Sequence, residues 1–137
     1  VLEIGFGMGI CADYIQAQGV NSHTIIEIHP QILEKLNDWA SGKSNVTIIE
    51  GDWANLSLTD TYDGIFLDTF GDDNLDSFKT FALERINSGG KITYWNNEPS
   101  ENNKYAFDSI SYEQINVTPD ENLYFDGNVY YMPKVTV

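Results

Sequence analysis

The chain has 137 residues, 42% of them apolar, which suits one compact domain with a single core. Its 21 acidic and 7 basic residues give a formal net charge of -14, which repels phosphate backbones and argues against nucleic acid as a partner. No apolar run approaches the roughly 20 residues that cross a bilayer, and Cys11 has no second cysteine to pair with. We therefore expect a cytoplasmic protein that uses no membrane segment, disulfide or metal.

Apolar runs that predict strands alternate with helical patterns along most of the sequence. The predicted strands are residues 1–4, 24–28, 46–49, 62–67 and 91–95, and the predicted helices are 8–18, 30 to about 41, and about 75–86. A turn at residues 88–90 precedes the fifth strand, and the polar residues 96–103 predict a loop or a short helix.

The C-terminal third changes character. Residues 110–117 and 123–137 predict two extended segments that pair in antiparallel fashion at the sheet edge, with a turn or bulge at Asp126, Gly127 and Asn128. Together these elements predict an α/β fold: a doubly wound, mostly parallel sheet that binds ligands at the carboxyl ends of its strands. Because the first residue already lies in a strand, we expect residues 1–137 to be a single domain core without an N-terminal lid.

The segment Glu3-Ile4-Gly5-Phe6-Gly7-Met8-Gly9 leads from a strand through three glycines into a helix. Glycine lets the backbone approach a ligand closely and adopt positive φ, so this segment predicts a cofactor loop, although an ordinary turn has the same pattern. The dinucleotide fingerprint requires its third glycine where Ile10 stands, which disfavours a pyrophosphate cofactor.

Acidic residues follow the second and third strands. Glu27 closes the second strand, where a carboxylate accepts from both hydroxyls of a ribose, unless it serves only as the charge partner of the next helix. Asp52, in Gly51-Asp52-Trp53, is placed to accept from an adenine amino group while the indole of Trp53 covers the ring or, alternatively, packs in the core. The order and spacing of the glycine loop, Glu27 and Asp52 favour an adenosine pocket.

These stretches resemble the class I S-adenosylmethionine-dependent methyltransferases, which have a Rossmann-like sheet. Within that class the likeness is to guanidinoacetate N-methyltransferases and protein-arginine delta-N-methyltransferases. It lies in the motifs Val1-Leu2-Glu3-Ile4-Gly5-Phe6-Gly7-Met8-Gly9, Ile25-Ile26-Glu27, Asp38-Trp39-Ala40 and Tyr62-Asp63-Gly64-Ile65-Phe66-Leu67-Asp68-Thr69-Phe70.

The resemblance implies S-adenosylmethionine as cofactor, with the glycines at its methionine end, Glu27 at the ribose, and Asp52 and Trp53 at the adenine. The implied cofactor-binding residues are Glu3, Gly5, Phe6, Gly7, Gly9, Glu27, Ile28, Gly51, Asp52, Trp53 and Asp68. The implied substrate-binding residues are Asp68, Thr69, Asn96, Asn97 and Glu98.

Asp68 becomes the catalytic candidate through the same resemblance. A protonated guanidinium has no lone pair with which to attack a methyl group, so an acid that pairs with it and accepts a proton is required. A capping or solvated carboxylate is the alternative for this strand end.

We expect a small guanidino or amino compound as methyl acceptor. Glu98 would repel a carboxylated compound such as guanidinoacetate, so a cationic acceptor is equally compatible with the sequence. Two alternatives stay open: methylation of arginine in a protein, and a noncatalytic domain that binds the cofactor or a nucleoside. A homo-oligomer is compatible with the sequence as well.

Structural roles are predicted for the remaining histidine, cysteine and aromatic side chains. His23 and His29 flank the second strand and are expected at the surface. Cys11 is expected to be a small core residue. The aromatic residues of the last segment, Tyr124, Phe125, Tyr130 and Tyr131, are expected to pack on the sheet.

Overall fold

The computed structural model describes residues 1–70, 75–118 and 127–137, which build one seven-stranded sheet flanked by helices. The strands are β1 (Leu2–Ile4), β2 (His23–Glu27), β3 (Val46–Glu50), β4 (Tyr62–Leu67), β5 (Ile86–Tyr94), β6 (Ile110–Asn116) and β7 (Val129–Thr136). The helices are α1 (Ile10–Ala17), α2 (Pro30–Ala40) and α3 (Phe78–Arg85), with 3₁₀ helices at Trp53–Asn55 and Leu75–Ser77. Within these residues, no helix is long and apolar enough to span a bilayer.

The strand order is β3-β2-β1-β4-β5-β7-β6. Strands β1 to β5 pair with one another in parallel, whereas β7 runs antiparallel to both β5 and β6. The predicted α/β class, a doubly wound Rossmann-like sheet with an antiparallel pair at its C-terminal edge, is therefore confirmed. Because β1 lies between β2 and β4, the carboxyl ends of these three strands lie side by side.

The sheet separates two apolar clusters. Ile25 and Ile26 are consecutive in β2, point to opposite faces and belong to different clusters. On one face, α1 and α2 pack through Ala12 and Leu36, and on the other, α3 packs through Phe78, all three of which are buried. Helices on both faces support the strand ends rigidly, which positions the loops that follow them.

The boundary after β2 differs from the prediction. The second strand ends at Glu27, not at Ile28, and Ile28 is exposed. The physical reason is the Glu27 carboxylate, whose Oε1 accepts the backbone N–H groups of Ile28 and His29, both at 2.9 Å, and so turns the chain out of the sheet. Pro30 then occupies the first turn of α2, where its fixed φ suits a helix start.

The helix and strand around residue 86 also differ from the prediction. The first turn of the predicted helix is a 3₁₀ helix, and α3 ends at Arg85, so that β5 begins at Ile86. The predicted turn at residues 88–90 is an irregularity within β5: the pairing jumps from Tyr62 with Ile86 to Gly64 with Lys91. The extra residues leave the ladder, and Gly89 adopts positive φ there.

The two C-terminal extended segments pair as expected, from Ile110 with Val135 to Asn116 with Val129. The second strand is observed from Val129 onwards. Asp126, Tyr124 and Phe125 lie outside the described residues, so the predicted turn or bulge is described only at its Gly127–Asn128 side. Residues 96–103 form a loop without a helix.

Candidate active site at the carboxyl edge of the sheet

The cofactor loop lies between β1 and α1, and all three of its glycines have positive φ. A Cβ on Gly5 would lie 2.1 Å from the backbone oxygen of Asp68, so the close approach of β1 and β4 requires glycine there. Gly9 caps α1 and faces the Phe6 ring, which a Cβ would approach to 2.8 Å. Gly7 is different, because a Cβ on it would meet no atom within 4 Å.

Glu27 ties the cofactor loop to β2. Its Oε2 accepts the backbone N–H of Phe6 at 3.0 Å, and its Oε1 accepts two further amides at the start of α2. The carboxylate is almost fully buried. The Phe6 ring packs against Trp39 with centroids 5.3 Å apart, so the ring belongs to the core. Glu27 thus holds two strand ends in register in addition to its predicted contact with a ribose.

Glu3 forms a buried pair with His23. Both side chains have 0% exposure, and 2.8 Å separates His23 Nε2 from Glu3 Oε2. Gln16 Nε2 lies 3.1 Å from His23 Nδ1. The expectation that His23 is a surface residue is therefore wrong: β1 supplies a carboxylate that satisfies its ring. Burial raises the pKa of Glu3 and the hydrogen bond to His23 opposes that rise. Glu3 Oε1 has no hydrogen-bond partner.

The segment after β3 forms a capped 3₁₀ helix. Asp52 Oδ1 accepts the Ala54 amide at 3.0 Å and its Oδ2 accepts Asn55 Nδ2 at 2.7 Å. Trp53 is 4% exposed and makes edge contacts with Phe78 and Phe81. This arrangement favours the packing alternative for the indole, and the adenine contacts of Gly51, Asp52 and Trp53 stay predictions.

Asp68 follows β4 directly, and its side chain is exposed at the carboxyl edge. Its backbone N–H donates to Ile4 O at 2.9 Å, which fixes it beside the cofactor loop. The surrounding protein desolvates the carboxyl on its inner side and raises its pKa, while the positive charge of Lys104 opposes that rise. A carboxylate with a raised pKa, open to solvent at the ligand edge, suits a proton acceptor. Thr69, next to it, is partly buried.

Lys104 is a residue of this site that sequence reasoning missed. Its Nζ donates to Trp95 O at 2.9 Å, at the carboxyl end of β5. Its field acts on Asp68, and the field of Asp68 acts on it. The residue follows a polar loop without a recognisable motif, and nothing in its spacing links it to Asp68.

Cys11 belongs to the surroundings of the site, not to its chemistry. Burial, with the nearby charges of Asp68 and Glu3, raises the pKa of its thiol to about 11. The side chain is partly buried. The thiolate is thus disfavoured at neutral pH.

Of the predicted substrate residues after β5, Asn96 is buried and fully engaged. Its Nδ2 donates to Ser100 O and Tyr131 O, both at 2.9 Å, and its Oδ1 accepts the Glu98 amide at 3.1 Å. Its side chain therefore shapes the loop, whereas the neighbouring Asn97 and Glu98 are exposed. Substrate contact by Asn97 and Glu98 stays a prediction.

The residues at this edge fit S-adenosylmethionine. The open space beside Gly7 lets a ligand lie against the loop backbone. A carboxylate has about four lone-pair sites, so Glu27, which accepts three amides, retains one, enough for one ribose hydroxyl where the sequence predicts contacts with both. Gly5, Gly7 and Glu27 would thus hold the cofactor.

Solved structures share this architecture. The N-methyltransferase NodS from Bradyrhizobium japonicum, in complex with S-adenosyl-L-homocysteine, superimposes with a TM-score of 0.76 at 12% identity, covering 98% of this chain and 76% of that one. The glycopeptide N-methyltransferase MtfA in complex with S-adenosyl-L-methionine gives 0.58 at 15% identity, covering 98% of this chain and 64% of that one. The chain therefore has the Rossmann-like fold of S-adenosylmethionine-dependent methyltransferases.

The sequence comparisons specify the family. The family profile described as guanidinoacetate N-methyltransferase matches residues 1–111, and the chain belongs to that family. Protein arginine N-methyltransferase 2 of Candida glabrata is 39% identical over 106 residues, and that of Saccharomyces cerevisiae is 32% identical over 167 aligned positions. These matches cover 70% and 99% of this chain. The chain spans only 26% and 40% of those two relatives.

Proposed function

We propose that this domain transfers the methyl group of S-adenosylmethionine to a guanidinium nitrogen of an arginine residue in a protein. The observation that carries the proposal is the position of Asp68: an exposed carboxylate with a raised pKa at the end of β4, beside the cofactor loop. A carboxylate pairs with a guanidinium in a fixed, charge-assisted geometry. This proposal replaces the small guanidino acceptor expected from the sequence with the alternative acceptor, an arginine residue in a protein.

The chemistry assigned to Asp68 follows from the acceptor. When bound, S-adenosylmethionine supplies a methyl group on a positively charged sulfur. The guanidinium must lose one proton for a nitrogen to present a lone pair. Asp68 first pairs with the guanidinium, then accepts that proton and later releases it to solvent, so that charge and protons balance. Its desolvated inner side makes it a better base than a free aspartate.

Two observations favour a polypeptide over a small carboxylated acceptor. The relatives reported above are named for protein arginine. In addition, Glu98 is exposed two residues beyond the fully engaged Asn96, so a negative charge borders the substrate side of the edge. A carboxylate on the acceptor would be repelled there, whereas an arginine within a peptide chain carries none.

The test is methyl transfer to competing acceptors. The chain is incubated with labelled S-adenosylmethionine and equimolar arginine peptide and guanidinoacetate, and products are identified by mass spectrometry. A peptide with lysine in place of arginine and the Asp68→Asn variant are the matched controls. The proposal expects methylarginine in the arginine peptide alone. Methylation of guanidinoacetate alone would assign the small-molecule function, and cofactor binding without transfer to any acceptor would assign a noncatalytic domain.

A further inference from the structure

Lys104 and Asp68 lie at the ends of neighbouring strands, without a salt bridge between them in the described part of the chain. Leu67 ends β4, and its carbonyl accepts the N–H of Trp95 at 2.9 Å, so β4 and β5 stay paired to their last residues. Asp68 follows Leu67, and Lys104 Nζ donates to the carbonyl of Trp95. Neighbouring strands lie only about 4.7–4.9 Å apart, so Asp68 and the ammonium of Lys104 lie at the adjacent carboxyl ends of β4 and β5.

The position of the ammonium is built into the fold. Lys104 Nζ lies 5.4 Å from the ring centroid of Tyr94 and 5.1 Å from that of Tyr105, and both rings are buried. Tyr94 Oη donates to Asn102 O at 2.8 Å, and Asn103 makes two hydrogen bonds to the backbone of Phe107. A carbonyl and two aromatic rings therefore hold the cation at the end of β5.

Lys104 is the cation in the electrostatic surroundings of Asp68. In the described part of the chain, the titratable groups that interact electrostatically with Asp68 are Lys104, Glu3, Cys11 and Tyr130. Glu3 adds negative charge when ionised, and the cysteine and the tyrosine are neutral at neutral pH. Lys104 is thus the positive member of this set, and it offsets both the desolvation of Asp68 and the field of Glu3.

We propose that Lys104 is the resident counter-ion of Asp68, which keeps the carboxylate ionised in the substrate-free protein and gives up that place when a cationic substrate binds. After the substrate has replaced it, the ammonium keeps its hydrogen bond to the Trp95 carbonyl and its contacts with the two tyrosine rings. Lys104 is a positioning residue in this role, because it acts on the substrate through Asp68. Its consequence for catalysis rests on the proposed function, whereas the counter-ion role itself does not.

The direct test is an NMR titration of the Asp68 carboxyl carbon in the free 137-residue chain, with the resonance assigned by its absence in Asp68→Asn. Lys104→Gln should shift the titration midpoint of Asp68 upward, and Lys104→Arg should leave it near that of the wild type. Lys91→Gln is the matched control, since Lys91 is an exposed cation within β5, where it pairs with Gly64 of β4, before the strand ends at which Asp68 and Lys104 lie. A midpoint unmoved in Lys104→Gln, or moved equally in Lys91→Gln, would overturn the proposal.

The kinetic consequence is tested separately. With an arginine peptide as acceptor, Lys104→Gln should move the acidic limb of kcat/KM to higher pH and leave the high-pH plateau closer to wild type. A limb that stays in place while the NMR midpoint shifts would overturn the catalytic consequence. If no arginine peptide is methylated but the NMR midpoint shifts, the proposed function fails and the counter-ion stands.

Discussion

The Glu27 carboxylate accepts the backbone amide of Phe6 at 3.0 Å, across 21 positions of sequence. This bond joins the end of β2 to the cofactor loop after β1. The side chain predicted to select the ribose therefore also shapes the loop predicted to hold the methionine end, and its loss affects both.

Glu27→Ala should weaken S-adenosylhomocysteine binding at least about tenfold, because it removes a charge-assisted acceptor worth about 1.5–3 kcal/mol. Calorimetric titration measures the change. Glu50→Ala is the matched control, since Glu50 is the register partner of Glu27 on β3 and is exposed. Equal affinity of Glu27→Ala and wild type would contradict the assigned site.

Gly5→Ala and Gly7→Ala should separate folding from ligand binding. At Gly5 the new methyl group would strike the Asp68 carbonyl, so we expect a loss of about 3 kcal/mol in the free energy of unfolding. At Gly7 the left-handed backbone costs only about 1–2 kcal/mol, but the methyl group enters the open space beside the loop and should lower cofactor affinity. Urea unfolding and calorimetry give the two quantities. Unchanged affinity in Gly7→Ala would contradict the ligand position.

His23→Ala should destabilise the fold by about 3–5 kcal/mol at neutral pH, because it leaves a buried carboxylate without its partner. The pKa of Glu3 is raised in the folded state, so protonated Glu3 favours folding, and this contribution is lost as pH rises through the folded-state pKa. The loss in His23→Ala should thus shrink as pH falls through that pKa.

The double variant Glu3→Gln/His23→Ala removes the buried charge and is the control for this pair. It should recover part of the stability lost in His23→Ala, as measured by urea unfolding. A loss that is independent of pH and additive in the double variant would show that Glu3 and His23 do not form the pair seen in the structure.

Asp68→Asn should lower kcat about 10²–10⁴-fold, the contribution typical of a positioned general base. The wild-type kcat/KM should fall as pH drops through the Asp68 pKa, and because desolvation raises that pKa, this limb lies above the range of a free aspartate. The pH profile with an arginine peptide measures it. Full activity of Asp68→Asn with unchanged cofactor binding would reduce Asp68 to a solvated strand-end residue.

Local pattern predicts the sheet and the cofactor loop because both depend on residues close in sequence. The apolar runs mark the strands, and the glycines after β1 mark the place where the residue after β4 approaches the loop backbone and where a ligand is predicted to lie. The bulge within β5 was missed because a Ser-Gly-Gly stretch reads as a turn, and only the pairing with β4 shows that the strand continues across it.

The electrostatic partners could not be predicted because they depend on distant contacts. His23 pairs with Glu3 across two strands, and no periodicity distinguishes a histidine that faces a carboxylate from one that faces water. Lys104 reaches the end of β5 through a loop whose course is set by hydrogen bonds such as those of Asn103. Such contacts appear only when the chain is folded.

The most direct test of the central claim, that the carboxyl edge of β1, β2 and β4 is an S-adenosylmethionine site, is calorimetric titration of the chain with S-adenosylhomocysteine, with NAD as the control ligand. We predict saturable one-to-one binding of S-adenosylhomocysteine and no heat from NAD. Binding should keep its affinity in Glu50→Ala and weaken at least about tenfold in Glu27→Ala. No saturable binding to the folded wild-type chain, or equal binding of NAD, would contradict the claim.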